Sequence, residues 1–401
     1  MLDALDPNWV NHLLVFLRTV EVGLLSLLHA VGLAGDLHGQ PAWPWGSRID
    51  VEVITIDRGH AREVAWSVLA LAGIALCALA GVLLRRRRWG RRVAWGLALA
   101  LLLAAPWPSP ALLLAPAYPT TFQVSPTGYT AQSIAHGRQL YAQHCLACHG
   151  ADAGGEGPQA ASLPMWPPNL NGALLWRRTD GDLLWRVLHG MRDRHGQETM
   201  PGFVGQLDAG EVWQILDFLQ ANAAGQSLRR SGEWPQPVAL PDAVVRCDPA
   251  AGPRQTTLRA LHGQRLRVLA GDGSPVLEDP RFVTVELTRG RPGQGQCQAG
   301  DEAEGEAAWQ AFALIAGVAP QALAGTQFIV DRDGWVRARA VPGQAGWSAA
   351  DLLCRSGEGG DAGNAGDAAR SANPAPADGL DALIRTMDRQ RVQLVKGGVP
   401  H

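Results

Sequence analysis

Two apolar stretches dominate the pattern of hydrophobic and polar positions along this 401-residue chain. Val64 to Leu84 carries no charge, and neither does Val93 to Ala115, which Pro106, Pro108 and Pro110 interrupt. Each has about the 20 residues that a helix needs to cross a bilayer. Between them lie Arg85, Arg86, Arg87, Arg88, Arg91 and Arg92. A short loop this basic stays in the cytoplasm, so the pair reads as a hairpin whose second helix emerges in the periplasm, with everything after Tyr118 on that side. His12 to Gly35 is a third candidate span, in which Arg18 and Glu21 sit three apart on one helical face and can pair. The acidic start (Asp3, Asp6), followed by Arg18 and Glu21 in the first apolar stretch, does not read as a cleavable signal peptide.

Beyond Tyr118 the period changes. Ala131 to His144 predicts a helix with Gly137 and Tyr141 on one face, and Asp180 to Gly190 predicts another. Glu211 to Ala223 predicts a third, since Val212, Ile215, Leu216 and Leu219 follow the spacing i, i+3, i+4, i+7 and Asp208 with Glu211 forms a capping box. Gln226 to Pro241, rich in Pro, Ser and polar residues, reads as a linker. Arg265 to Ala270 and Phe282 to Leu287 then read as strands, Glu306 to Gly317 as a helix, and Gln327 to Val330 with Trp335 to Ala338 as a hairpin turning at Asp333-Gly334. Arg355 to Gly379 is a Gly, Ala, Asp and Ser stretch of disordered composition, followed by an amphipathic helix over Leu380 to Val395. The chain is therefore expected to be multi-domain: a membrane anchor of two or three transmembrane helices (1–117), an all-helical domain (118–225), a linker (226–241), an α/β domain (242–356), and a low-complexity tail with a short helix (357–401).

Charge adds little, because the formal net charge is −2. Basic residues are almost all arginine, Lys396 being the one lysine, and this bias goes with abundant Ala, Gly and Pro. Arginine richness here reflects composition and gives no reason to expect nucleic-acid binding. The six cysteines form no disulfide framework: Cys145 and Cys148 are close together, Cys77 sits in an apolar run, and Cys247, Cys297 and Cys354 are scattered.

The chemistry centres on Cys145-Leu146-Ala147-Cys148-His149. Two thiols three positions apart can each form a thioether to one vinyl group of the same haem, while the adjacent His149 presents an imidazole to the iron. The implied cofactor is one covalently bound haem c. A thioredoxin-type redox pair and half of a zinc site compete with this reading, but no second Cys-x-x-Cys completes a zinc site. Met200, 51 positions after His149 and just before the last helix of this domain, is the choice for the second axial ligand. Met165, Met191, His189 and His195 are the alternatives. Pro168 is expected to accept the Nδ1 proton of His149 through its carbonyl and so orient the ring. His12 and His29 lie about 25 Å apart along one helix and cannot share a site, whereas His29, His38 and His60 are candidate metal contacts.

These motifs, with Ala117-Tyr118-Pro119-Thr120-Thr121-Phe122, Ser125-Pro126, Pro167-Pro168-Asn169-Leu170, Gly181-Asp182-Leu183-Leu184-Trp185, His189-Gly190 and Met200-Pro201-Gly202-Phe203, resemble the cytochrome module fused to copper-resistance D-type membrane proteins of proteobacteria. More broadly they resemble a class I c-type cytochrome. The likeness covers about Ala117 to Ala224. It implies an all-α domain whose first and last helices cross, with Gly137 facing Trp213 or Phe218. The C-terminal part resembles a degenerate thioredoxin-like domain, notably in Phe328-Ile329-Val330-Asp331-Arg332-Asp333-Gly334. Ala270-Gly271-Asp272-Gly273 replaces the redox Cys-x-x-Cys, and Gly325-Thr326 stands where the usual cis-proline would be, so the domain is expected to bind rather than to exchange disulfides. Any pairing among Cys247, Cys297 and Cys354 is left open.

An iron closed by His149 and Met200 has one-electron transfer as its chemistry, so the chain reads as a carrier rather than an enzyme. Its expected partners are a redox protein donor and acceptor: a quinol-oxidising complex or dehydrogenase on one side, a terminal oxidase or copper protein on the other. Arg177, Arg178, Arg186, Arg192 and Arg194 are a candidate docking rim. A copper-handling membrane protein, and an oxidase subunit or assembly factor, are the alternatives.

Overall fold

The computed structural model describes residues 8–49, 58–84, 87–107, 109, 114–172, 174–247, 254–289, 295–299, 302–344, 346–348, 351–353 and 379–392. Cys354, Arg85, Arg86 and most of the low-complexity tail fall outside these residues. The chain forms two compact units, Met1–Pro119 and Thr120–His401.

In the first unit, α1 (Asn8–Ala30) leads to a ribbon of β1 (Asp36–Leu37) and β2 (Gln40–Pro41). β3 (Ser47–Ile49) follows, then α2 (Arg58–Leu83) and α3 (Arg88–Ala104), and β4 (Leu114–Pro116) closes antiparallel on β3. α2 and α3 pack along each other, bringing Gly81 against the Trp95 indole and letting the Ser67 hydroxyl donate to the Pro106 carbonyl at 2.8 Å. Within α2, Trp66–Leu83 is long and apolar enough to cross a membrane.

The second expected span is shorter than its apolar run. α3 begins at Arg88, so Arg88, Arg91 and Arg92 are helical, and it stops at Ala104. Pro106 has no N–H to continue the ladder and biases the residue before it away from helix. Leu114 and Ala115, at the end of the same run, belong to a strand. In α1, Glu21 is buried and its carboxylate accepts the Ile49 N–H at 2.6 Å, tying the helix to β3.

The second unit opens with α4 (Ala131–His144), whose N-terminus is capped by the Thr130 hydroxyl accepting the Ser133 N–H. α5 (Leu146–His149), α6 (Leu174–Arg177) and α7 (Asp180–His189) follow, then a ribbon of β5 (Met191–Arg192) and β6 (Glu198–Met200). α8 (Ala209–Ser231) starts at the capping box of Asp208 and Glu211. α4 and α8 cross at Gly137, where a β-carbon would come within 1.9 Å of the Gln214 carbonyl oxygen. The small residue therefore faces the backbone at Gln214 and Ile215. Trp213 and Phe218 instead join Leu140, Tyr141, Leu184 and Leu216 in the core beside α5.

The stretch expected as a linker is packed. α8 runs through it to Ser231 and ends on left-handed Gly232. Leu228, Trp234, Val238 and Leu240 are buried, and the Trp234 indole donates to the Ile315 carbonyl at 3.3 Å. Gly232, Pro235 and Pro237 have the composition of a linker, but here they supply a helix stop and the approach to a sheet edge.

That sheet has eight strands in the order β7-β14-β13-β10-β11-β12-β8-β9. They are β7 (Val238–Ala239), β8 (Val244–Cys247), β9 (Arg254–Thr257), β10 (Leu266–Ala270), β11 (Val283–Leu287), β12 (Cys297–Ala299), β13 (Gln327–Val330) and β14 (Trp335–Ala340). β10, β11 and β12 run parallel, and the other pairings are antiparallel. The strands expected from sequence form the middle of the sheet, and β7, β8, β9 and β12 widen it. Cys247 and Cys297 are direct cross-strand partners joined by a disulfide.

α9 (Glu302–Ile315) lies against both α4 and α8. One continuous core holds Ile134, Ala221 and Leu228 together with Trp309, Phe312 and Phe328. The last helix, α10 (Gly379–Arg389), seats Leu383, Ile384 and Met387 on Phe282, Ile329 and Leu352.

Candidate haem site

The motif sits on one short helical turn, which α4 delivers. The Cys145 N–H donates to the Tyr141 carbonyl and the His149 N–H to the Cys145 carbonyl, both at 2.9 Å, so Cys145, Cys148 and His149 are held within one turn. Gly150 then leaves the helix at φ 80°, outside the comfortable range of other residues. The following loop folds back under the turn: the N–H groups of Gly155, Gly157 and Gln159 donate to the carbonyls of His149, Cys148 and Ala147. A β-carbon at Gly157 would come within 2.5 Å of the Ala147 oxygen, and one at Gly155 within 2.4 Å of the Pro167 oxygen. Glycine is thus required for the loop to lie this close.

Side chains fix the loop from the other side. The Tyr141 hydroxyl donates to the Gly150 carbonyl at 2.7 Å. The Asp152 carbonyl accepts from both Asn171 and Asn222, at 2.8 and 2.9 Å, which pins the loop to α8. Deeper in the helix crossing, buried Asp217 accepts the hydroxyls of Thr127 and Ser133, each at 2.5 Å. The glycine-rich run after the motif hinted at the close loop. Nothing local marks Asn171, Asn222 or Asp217, whose partners come from distant parts of the chain.

Cys145, Cys148 and His149 are half-buried, and neither thiol is in a disulfide. Burial, followed by the neighbouring Cys148, pushes the Cys145 thiol up to about 12. A redox-exchange cysteine needs an accessible thiolate of lowered pKa, so Cys145 does not suit disulfide exchange. It does suit thioether attachment to a flat ligand lying against the turn.

At His149, burial lowers the pKa and the Pro168 backbone carbonyl opposes that shift. Nδ1 is enclosed and stops short of full hydrogen-bond geometry with any group. The Pro168 backbone carbonyl is the neighbouring acceptor. A proton held on Nδ1 would leave the Nε2 lone pair free for a metal.

Met200 is half-buried at the end of β6, directly across from Met191 on β5. The chain after it is held tightly: Phe203 N–H donates to the Leu188 carbonyl at 2.9 Å, and the Phe203 ring meets the His144 ring edge-on at 6.0 Å. This brings the Met200-Pro201-Gly202-Phe203 segment to the residue that precedes Cys145. Met191 is half-buried like Met200, whereas the remaining candidates are exposed. Met165 is 54% exposed. His189 is exposed and stacked on Trp185 at 3.8 Å, and exposed His195 accepts from Arg194 Nε at 3.1 Å. The arginines expected as a rim are partly engaged locally: Arg192 reaches the Gly196 carbonyl and Glu198, and Arg186 is half-buried. The Arg177 side chain, like those of His12 and His60, lies outside the described residues. His29 pairs with Asp36 at 3.1 Å. Among the described residues no group of three or more His, Cys, Asp and Glu is placed to hold a metal ion.

Two crossing helices, a Cys-x-x-Cys-His turn and a proline carbonyl behind the histidine define a c-type cytochrome domain. Residues 132–219 match the family model of cytochrome c oxidase, cbb3-type, subunit III, a span that contains the whole motif and Met200. None of the curated proteins matches the chain. Among solved structures, a chain of the reducing HAO-like protein complex of Kuenenia stuttgartiensis is 20% identical with a TM-score of 0.22; the match covers 27% of this chain and about half, 51%, of that one.

Proposed function

We propose that the protein is a membrane-anchored, periplasmic monohaem cytochrome that passes single electrons between respiratory partners. The observation that carries this is the turn holding Cys145, Cys148 and His149 inside the region matched to a cytochrome family. Bound there, a haem c supplies reversible one-electron exchange. The protein's own part is positional. Cys145 and Cys148 would fix the group's place, His149 with the Pro168 carbonyl beside it would offer Nε2 to the iron, and Met200 would offer its thioether. A donor such as a quinol-oxidising complex or dehydrogenase and an acceptor such as a terminal oxidase or copper protein fit this role.

Three observations support the location. Trp66–Leu83 is apolar enough to cross a bilayer, and Trp66, Leu69, Leu76 and Leu83 present exposed apolar surface. The arginines at the junction of α2 and α3 favour a cytoplasmic turn. The Cys247–Cys297 disulfide belongs to an oxidising compartment. Tethering would hold the cytochrome at high effective concentration beside membrane complexes.

A second reading, a subunit attached to a terminal oxidase, is favoured by the description of the matched family. The C-terminal sheet would then be the docking part, read as a degenerate thioredoxin-like domain with β11, β10, β13 and β14 adjacent in that order. Copurification separates the two. A carrier leaves the membrane extract free of oxidase, whereas a subunit comes out with it and loses it when the exposed face of the sheet is altered.

A further inference from the structure

The ribbon of β5 and β6 pairs Met191 directly with Met200. Residues directly opposite in an antiparallel pair project to the same face, with β-carbons about 5 Å apart. Met191 and Met200 therefore project from one face of the ribbon. They are held differently: Arg186 on α7 donates from Nη1 to the Met191 sulfur at 3.7 Å. The register of the ribbon shifts between Met191 and Arg192. At its open end, where the chain enters and leaves, the ribbon is tight, since a β-carbon at Gly190 would come within 2.5 Å of the Met200 carbonyl oxygen. Methionine itself is adaptable, with three rotatable side-chain bonds.

Resting on the haem reading above, we propose that Met191 is a reserve axial ligand, parked against Arg186 while Met200 ligates, and able to take the Met200 position when that sulfur is removed. The exchange breaks one iron–sulfur bond and forms another of the same kind, so no electron or proton changes hands. Arg186 is a positioning residue: its guanidinium keeps the second sulfur off the iron.

The test uses the full-length, haem-loaded protein extracted from membranes, with three variants: Met200→Ala, Met191→Ala and both together. The readouts are the thioether-to-iron charge-transfer band of the oxidised form and the rate of carbon monoxide binding to the reduced form. Met200→Ala is expected to keep the band and to bind carbon monoxide at least tenfold more slowly than the double variant, which loses the band. Arg186→Gln in the Met200→Ala background should leave the band in place. If Met200→Ala matches the double variant, the proposal is overturned; so too if Met191→Ala alone abolishes the band, which would make Met191 the resident ligand. Wild-type protein with a c-type spectrum but no thioether band overturns methionine ligation altogether. Protein without any c-type spectrum overturns the haem reading on which the proposal stands.

Discussion

Gly225 of α8 lies so close to Leu314 of α9 that a β-carbon on it would come within 1.9 Å of the Leu314 carbonyl oxygen. Gly317 returns the contact, with its own β-carbon position 2.5 Å from the Gly225 carbonyl oxygen. The cytochrome helices and the eight-stranded sheet share this seam and the core around it. Chemical denaturation should therefore melt the haem-side helices and the sheet in a single transition. Gly225→Ala forces backbone to move on both sides. It should destabilise that transition by at least the roughly 1–3 kcal/mol usual for overpacking.

Gly137→Ala should act as strongly at the other crossing, where the obstacle is again backbone, the Gln214 carbonyl. The expected loss is also about 1–3 kcal/mol or more, with the difference that the strain is transmitted through α4 to Cys145. Haem incorporation, measured per mole of folded protein, should fall in Gly137→Ala and stay near normal in Gly225→Ala.

Cys247 and Cys297 close a loop with a sequence separation of 50. Cross-linking a loop of that size is worth about 4 kcal/mol in the chain-entropy model. Cys247→Ser, or reduction of the wild type, should lower the denaturant midpoint accordingly, with no additive effect of reductant on the variant.

Arg337 is fully buried and donates to Asp331 at 3.1 Å and to the Gln390 carbonyl, just beyond α10, at 2.8 Å. Arg337→Met leaves the Asp331 carboxylate buried without its cation, a change that costs about 3–5 kcal/mol. Hydrogen exchange should also show α10 opening first in this variant, because its anchor at Gln390 is gone.

The parts legible in the sequence are those whose signal is local. The Cys145 to His149 spacing, the capping box at Asp208 and the alternation around Val268 and Ile329 need no knowledge of distant neighbours. The misread parts depend on partners far along the chain. Val244 to Cys247 pairs with residues 297–299 and 254–257, and its single charged outward residue, Arg246, gives too short an alternation to announce a strand. Gln226 to Ser231 lacks the apolar stripe of an exposed helix because Leu228 is its one apolar residue, buried beside Ser227, while Arg229, Arg230 and Ser231 face water. The helix in the second apolar run is cut short before Pro106, a stop that hydropathy averaging smooths away.

Covalent haem attachment at Cys145 and Cys148 is the claim on which the functional account depends, and the spectrum of the dithionite-reduced, alkaline-pyridine-treated protein tests it directly. The wild type should show a c-type α-band that stays with the polypeptide through denaturing electrophoresis. Cys148→Ala should lose one thioether and shift the band, and the Cys145→Ala, Cys148→Ala double variant should release the pigment. A wild-type protein with no such band, or a band unchanged in the double variant, would contradict the account.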